Sequence, residues 1–205
     1  MALVTYSDLT TSIGRWLHRT GDSNLTADIP DFVVLAEARM YGKLRVREME
    51  TTMSTVMASG VIAVPTNYVE LKDAYITSTT PYGSLARKTA EWIYDTYPDR
   101  TATRQPVAIA REGSNFIFGA YPDSNYTVKF VYYNRIAALS GALNGLWTKY
   151  PGMWLYGSLL EAAPYLKNDS RMPVWQMKYD EQFASCRRES DSEYLSGGVL
   201  EITAA

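Results

Sequence analysis

Apolar positions crowd residues 153–166 more densely than any other part of this chain. They read Met-Trp-Leu-Tyr-Gly-Ser-Leu-Leu-Glu-Ala-Ala-Pro-Tyr-Leu, with only Gly157, Ser158 and Glu161 interrupting. As a helix rising about 1.5 Å per residue the stretch spans roughly 21 Å, short of the ~30 Å apolar core of a bilayer. Such a helix must be covered by protein on most of its faces. A chain of 205 residues has limited core for that, so neighbouring copies are expected to supply part of the cover. Pro151 suits the first position of this helix, and Pro164 its last turn or a kink.

Two helical patterns come earlier. Thr5-Tyr6-Ser7-Asp8 has the form of a capping box, and Leu9, Ile13, Trp16 and Leu17 then fall on one face. Gly21-Asp22-Ser23-Asn24 breaks the pattern, and Pro30 with Asp31 behind it predicts the start of a second helix. Residues 32–40 are again apolar beyond a single stripe, with Leu44, Val46 and Met49 as an extension. From residue 51 the period shortens. Two strand-like runs flank Ala58-Ser59-Gly60, Pro65-Thr66-Asn67 turns the chain, and 71–76 is a further strand. A short helix over 89–97 stops at Pro98. Alternation around Val107 and Ile109, turns at Gly113-Ser114 and Pro122-Asp123-Ser124, and the run 126–133 predict an antiparallel meander. Helical spacing returns after Leu146. Asn168-Asp169-Ser170 is placed to cap a last helix carrying Met172, Trp175, Tyr179, Phe183 and Cys186 on one face.

This order of helices, strands and helices predicts an α+β fold. An antiparallel helical bundle draws on 1–50 and 137–193, an antiparallel β-rich subdomain is inserted over 51–136, and an extended C-terminal arm covers 194–205.

Charge adds mainly exclusions. The net charge is −2 and the isoelectric point about 5.5, so no global basic field draws the chain to nucleic acid. Hydrophobic content of 46% against 20% charged residues suits a chain that buries a core. The start, Met-Ala-Leu-Val-Thr-Tyr-Ser-Asp, does not read as a signal peptide, and a cytoplasmic origin is expected. Sixteen Tyr and five Trp outnumber five Phe, which suits partly wet interfaces or a Tyr-rich sheet.

Candidate chemistry is sparse. His18 and Cys186 are the sole residues of their kinds, which excludes an internal disulfide and a Cys-based zinc cluster. His18 reads as a helix-terminating residue and Cys186 as a small core or interface residue; a Cys–His dyad is the remote alternative. No phosphate loop or nucleophile elbow is found, and no cofactor, metal or catalytic residue is assigned. Glu37 and Glu161 sit inside apolar helices, where a buried carboxylate must be paired or protonated. Arg39, Arg45 and Arg47 are offered as partners, in structural ion pairs across the bundle. Trp154, Leu160, Trp175 and Tyr179 are expected to pack the bundle or its subunit contacts. Arg45-Arg47 and Arg187-Arg188 are diluted by acids and read as mixed solvated faces. After Ser196-Gly197-Gly198, the residues Val199, Leu200 and Ile202 form either an anchor for a partner surface or a free terminus.

Several stretches together resemble the head-to-tail adaptors of tailed bacteriophages, particularly the tail-tubular A type of short-tailed ones. They are Ile29-Pro30-Asp31-Phe32-Val33-Val34-Leu35-Ala36-Glu37-Ala38-Arg39, Leu44-Arg45-Val46-Arg47-Glu48-Met49-Glu50, Tyr132-Tyr133-Asn134-Arg135-Ile136-Ala137-Ala138-Leu139-Ser140, the stretch 154–166, and Trp175-Gln176-Met177-Lys178-Tyr179-Asp180. The segment 77–105 is less diagnostic. The resemblance implies a structural virion protein, made in the host cytoplasm and placed at the head–tail junction. It implies a dodecameric ring that joins the portal protein to the tail nozzle or tail tube and surrounds genomic DNA without reading it. The arm would reach the portal through Val199, Leu200 and Ile202. Competing readings are a carbohydrate- or receptor-binding tail module, a hydrolase built on Glu37 or Glu161, and a head-completion connector of a long-tailed phage.

Overall fold

A computed structural model describes residues 3–57, 59–99, 103–139, 144–166 and 170–195. The chain divides into a helical unit, built from the residues up to Glu48 and from Ile136 onward, and a β-rich unit, Met49–Arg135. The fold is α+β: helices from both ends of the chain pack together, and the sheets are inserted between them in sequence.

In the helical unit, α1 (Tyr6–Trp16) begins at a complete capping box. The Thr5 hydroxyl accepts from the Asp8 backbone N–H, and the Asp8 carboxylate accepts from the Thr5 N–H at 2.9 Å. It ends at His18, whose φ of 54° places it in the left-handed region. The His18 and Arg19 N–H groups turn back onto the carbonyls of Arg15 and Gly14, the bond pair of a Schellman cap. Trp16 departs from the predicted apolar face. It is partly exposed, packed edge-on against Tyr156 at 5.7 Å, while Leu9, Ile13 and Leu17 are buried.

The second helix corrects the reading of Pro30. α2 spans Ser23–Lys43 and is started by Asp22, whose carboxylate accepts from the N–H groups of Asn24 and Leu25. Pro30 therefore lies inside the helix. It forfeits one backbone bond, a cost of about 3 kcal/mol, against the burial of Leu25, Ile29, Phe32 and Val33, each contributing about 1.5–3 kcal/mol. Arg45 finishes the helix by donating to the carbonyls of Tyr41 (3.2 Å) and Leu44 (2.7 Å).

Short α4 (Gly145–Lys149) leads into α5 (Pro151–Ala162), with Pro151 at its first turn. α2 and α6 (Met172–Leu195) flank α5, and α1 touches it as well. Met153, Trp154, Leu155, Leu159 and Leu160 are all buried. Most of this helix is therefore covered within the chain, while Tyr165 just beyond it is 44% exposed. Gly157 marks the tightest crossing. A Cβ there would stand 3.1 Å from Ala36 of α2 and 3.3 Å from the Tyr179 ring of α6.

The β-rich unit holds two four-stranded sheets. One runs β1-β8-β3-β4, from Glu50–Met57, Tyr126–Asn134, Tyr68–Ile76 and Gly83–Ser84. The other runs β2-β7-β6-β5, from Val61–Ala63, Asn115–Gly119, Ala108–Glu112 and Ala86–Arg87. The sheets share one core in which Phe116 stacks on Phe130 at 5.2 Å. Helix α3 (Ala90–Thr96) packs Ile93 against Ala110 and Ile117.

The predicted meander is not formed. β6 and β7 make a hairpin, but the next strand, β8, lies in the other sheet between β1 and β3. There it has a partner strand on each edge, with Glu50 opposite Tyr133 at one end of the β1 ladder and Met57 opposite Tyr126 at the other. The Tyr126 hydroxyl donates to Asp123 at 2.6 Å, which pins the crossing turn. One pair, β5·β6, is parallel.

Candidate functional site

The two carboxylates singled out inside apolar helices meet different fates. Glu37 is 5% exposed, and its Oε1 accepts from the Leu139 backbone N–H (2.9 Å) and the Trp154 indole N–H (3.0 Å). No arginine is needed there. Arg39 instead reaches Glu161 at 2.7 Å, tying α2 to α5 near the half-buried edge. Arg45 caps α2, and the Arg47 backbone N–H donates to Ser190 Oγ at 3.0 Å. The ion pairing expected at Glu37 is thus a bond to two neutral donors, drawn from residues far away in the chain.

Leu160, Trp175 and Tyr179 are buried in the same helical packing. Burial pushes the Tyr179 hydroxyl up to about 12, with Arg39 pulling the other way. Arg171 lies over the Trp175 ring at 4.9 Å. Val199, Leu200 and Ile202 lie outside the described residues.

One cluster had no sequence signal. The Lys149 ammonium sits 2.8 Å from Glu48, 3.1 Å from Glu189 and 3.1 Å from Glu193. Bonds to these three carboxylates hold the Lys149 pKa above its ordinary value. The Tyr150 hydroxyl also donates to Glu189, which lowers the Glu189 pKa, with Lys149 adding to the effect. This clasp fastens the last turns of α6 to α4 and to the segment after α2. Cys186 is buried beside it, and desolvation raises its thiol to about 12. A thiol so shifted is a poor nucleophile. His18 is near Arg171, 15 residues up α6 from Cys186 or roughly 22 Å along a helix, so the two form no dyad.

Surfaces distinguish this unit more than any polar centre. A groove of about 600 Å³ opens between the end of α1 and the start of α6, lined by Arg15, Trp16, His18, Arg171, Val174 and Trp175. Val174 is 54% exposed and Met177 58% exposed; on α2, Val34 is 59% and Leu35 51% exposed. In the β-rich unit a smaller cleft of about 200 Å³ gathers Arg87, Lys88 and Arg111 around Tyr68 and Phe116, with Glu70 at its edge. Arg87 donates to the Leu71 carbonyl at 2.7 Å, and Arg111 lies over the Tyr68 ring at 5.2 Å. Among the described residues no group of three or more His, Cys, Asp and Glu is arranged to hold a metal ion. Among them, too, no helix is long and apolar enough to cross a membrane.

The buried Glu37 bonds and the Lys149 clasp hold helices together, and exposed apolar residues such as Val34 and Val174 lie on the surface of the helical unit. The chain matches the family model described as SU10 adaptor protein over residues 4–200. It belongs to the SU10 adaptor protein family, a family of phage adaptors whose role is structural. No curated protein matches it.

Proposed function

We propose that this adaptor works as a ring of twelve copies at the head–tail junction of the virion, in the manner of the tail-tubular A type. The ring joins the portal protein to the tail nozzle or tail tube and continues the DNA channel. The observation that carries this reading is the pattern of apolar exposure in the helical unit. α5 is mostly covered within the chain, yet Val34, Leu35, Val174 and Met177 stand in solvent. A ring repeats one heterologous contact until it closes, so each copy needs two unlike surfaces.

In this reading Glu37, Arg39, Arg45, Trp154, Leu160, Glu161, Trp175 and Tyr179 hold the subunit rigid. Residues 194–205 serve as the portal-binding arm through Val199, Leu200 and Ile202. The Lys149 clasp gives the arm a fixed point of departure at the end of α6. The β-rich unit meets the tail component. DNA passes through the lumen without sequence-specific contact, consistent with a net charge of −2.

The test is the mass of the full-length protein by light scattering, alone and mixed with the portal of the same phage. Twelve copies, free or on the portal, is the expected result. A monomer that ignores the portal at every concentration overturns the proposal. Deletion from Ser196 is expected to weaken portal attachment and leave the subunit folded.

A further inference from the structure

Ile109 and Arg111 stand two apart on β6 and so share a face of the strand. Ile109 is buried, while Arg111 is exposed and lies over the Tyr68 ring of the other sheet. β5 runs parallel beside β6, with Arg87 opposite Ile109 and Lys88 next along the chain. These residues enclose the cleft of about 200 Å³ in the β-rich unit. Its floor is buried and apolar, from Leu71, Ile109 and Phe116, and its mouth is exposed and cationic, from Arg87, Lys88 and Arg111. Glu70 is the one carboxylate among the described residues of the lining.

Among the described residues, the contacts of all three cations are with neutral groups. Arg87 donates to the Leu71 carbonyl at 2.7 Å, and Arg111 donates through Nε to the Gly113 carbonyl at 3.1 Å. Lys88 Nζ stands 4.9 Å from the centre of the Trp92 ring. Guanidinium and ammonium groups carry several N–H donors each, so these contacts orient the three side chains and leave their charge for a ligand. The field is felt at the Tyr68 hydroxyl, where burial raises the pKa, Arg111 and Arg87 lower it, and Glu70 raises it.

We propose that this cleft binds the carboxylate of an acidic side chain, glutamate above all, presented by the tail protein that docks on the adaptor. The inference rests on the reading that the β-rich unit meets the tail component, and it assigns that contact. Size selects the ligand first. Clefts for cofactors and other small molecules run to roughly 300–1,000 Å³, so this one has room for a single side chain. Shape selects it next. An apolar floor under a cationic mouth matches a short methylene stem ending in a carboxylate. A phosphodiester has no such stem, and a duplex is held along a track of cations rather than at one spot. Arg87 and Arg111 offer planar forks that a carboxylate can meet with both oxygens, and Lys88 adds a point charge beside them.

The measurement is the affinity of the full-length adaptor for the tail protein of the same phage, by biolayer interferometry, across a series at Lys88. Lys88 is exposed, so its substitution leaves the core intact, and a thermal melt of each variant checks this. Lys88→Arg is expected to bind within about twofold of the native chain and Lys88→Gln about tenfold more weakly, with Lys88→Glu weaker still. Lys129→Gln, which removes an exposed cation outside the cleft lining, should change affinity by less than about twofold. If the native chain binds and the Lys88 series binds alike, the cleft is not the contact and this inference alone fails. An equal loss from Lys129→Gln means a general attraction of charges, which also overturns it. So does a Lys88→Glu variant that keeps the tail protein but loses the mass of the ring, because the cleft then takes a second copy. A native chain that holds a short random duplex through Lys88, with tail-protein binding untouched by Lys88→Glu, makes the ligand a phosphate. A native chain that ignores the tail protein, both free and assembled on its portal, removes the reading of the β-rich unit along with its contact.

Discussion

Replacing Glu37 by Ala is expected to destabilise the helical unit by about 4 kcal/mol. The substitution removes one acceptor and strands two buried donors, the Leu139 backbone N–H and the Trp154 indole N–H, now held at 2.9 and 3.0 Å. A buried donor left without a partner costs about 1–3 kcal/mol, and two near the middle of that range sum to about 4. At about 2–4 °C per kcal/mol for a chain of this size, the midpoint of thermal unfolding should fall by roughly 8–16 °C. Glu37→Gln keeps an oxygen in place and should cost only about 1 kcal/mol. Urea unfolding followed by far-ultraviolet circular dichroism measures both. A double-mutant cycle with Trp154→Phe isolates the indole bond, because Phe has no donor to strand. Its cost should be smaller in the Glu37→Ala background by about 1–3 kcal/mol. If Glu37→Ala costs under about 1 kcal/mol, or Trp154→Phe costs the same in both backgrounds, the carboxylate does not hold these donors and the reasoning fails.

Gly157→Ala should be destabilising by about 1 kcal/mol. Overpacking against Ala36 and Tyr179 costs about 1–3 kcal/mol, and the gain in helix propensity returns about 1. Gly14→Ala in α1 meets nothing within 4 Å and should instead stabilise by up to about 1 kcal/mol; thermal melts of the two variants read the difference in sign. The Lys149 clasp predicts a pH window. Glu189 has a lowered pKa, so its contribution is fully present above the ordinary 4.5 and is lost as pH falls through the folded value. Lys149 has a raised pKa, so its contribution is fully present below 10.5 and is lost as pH rises through the folded value. Hydrogen exchange in the last two turns of α6 should therefore quicken at both extremes of pH. Lys149→Met should quicken it at neutral pH and remove most of the acid response.

Local chemistry was the legible part of this sequence. The Thr5–Asp8 capping box, Pro151 at a helix start, the short helix stopped by Pro98 and the turn at Gly113 all act through neighbours a few residues away, and each reads correctly from spacing. The alternation of helix, strand and helix carried the fold class, and quoted stretches such as 29–39 and 154–166 carried the kinship to phage adaptors. Pro30 misled because a proline is favoured at a helix start, whereas the stronger local cap, Asp22, lay eight residues earlier. The strand order misled because a turn at Pro122 is compatible with a hairpin or a crossing between sheets; only the pairing of β8 with β1 and β3 distinguishes them.

Long-range partners were illegible in principle. Nothing near Glu37 announces that its donors are Leu139 and Trp154, or near Lys149 that three glutamates will converge on it. Periodicity also could not say which apolar residues of an over-greasy helix would be left outside. Hydrophobic runs made α5 the prime suspect for contact between copies; the fold buries most of α5 and leaves exposed apolar residues on α2 and α6.

The opposition of Glu50 and Tyr133 at the open end of β1 and β8 reaches beyond sheet geometry. Paired residues in such a ladder stand about 5 Å apart, so the chain enters and leaves the β-rich unit through a single narrow doorway. A module hung on so close a pair of ends behaves as a cassette. It can be lengthened, exchanged or reduced to a tight turn without asking the two halves of the helical unit to move. The helical unit can then keep its internal packing while the β-rich unit is recast.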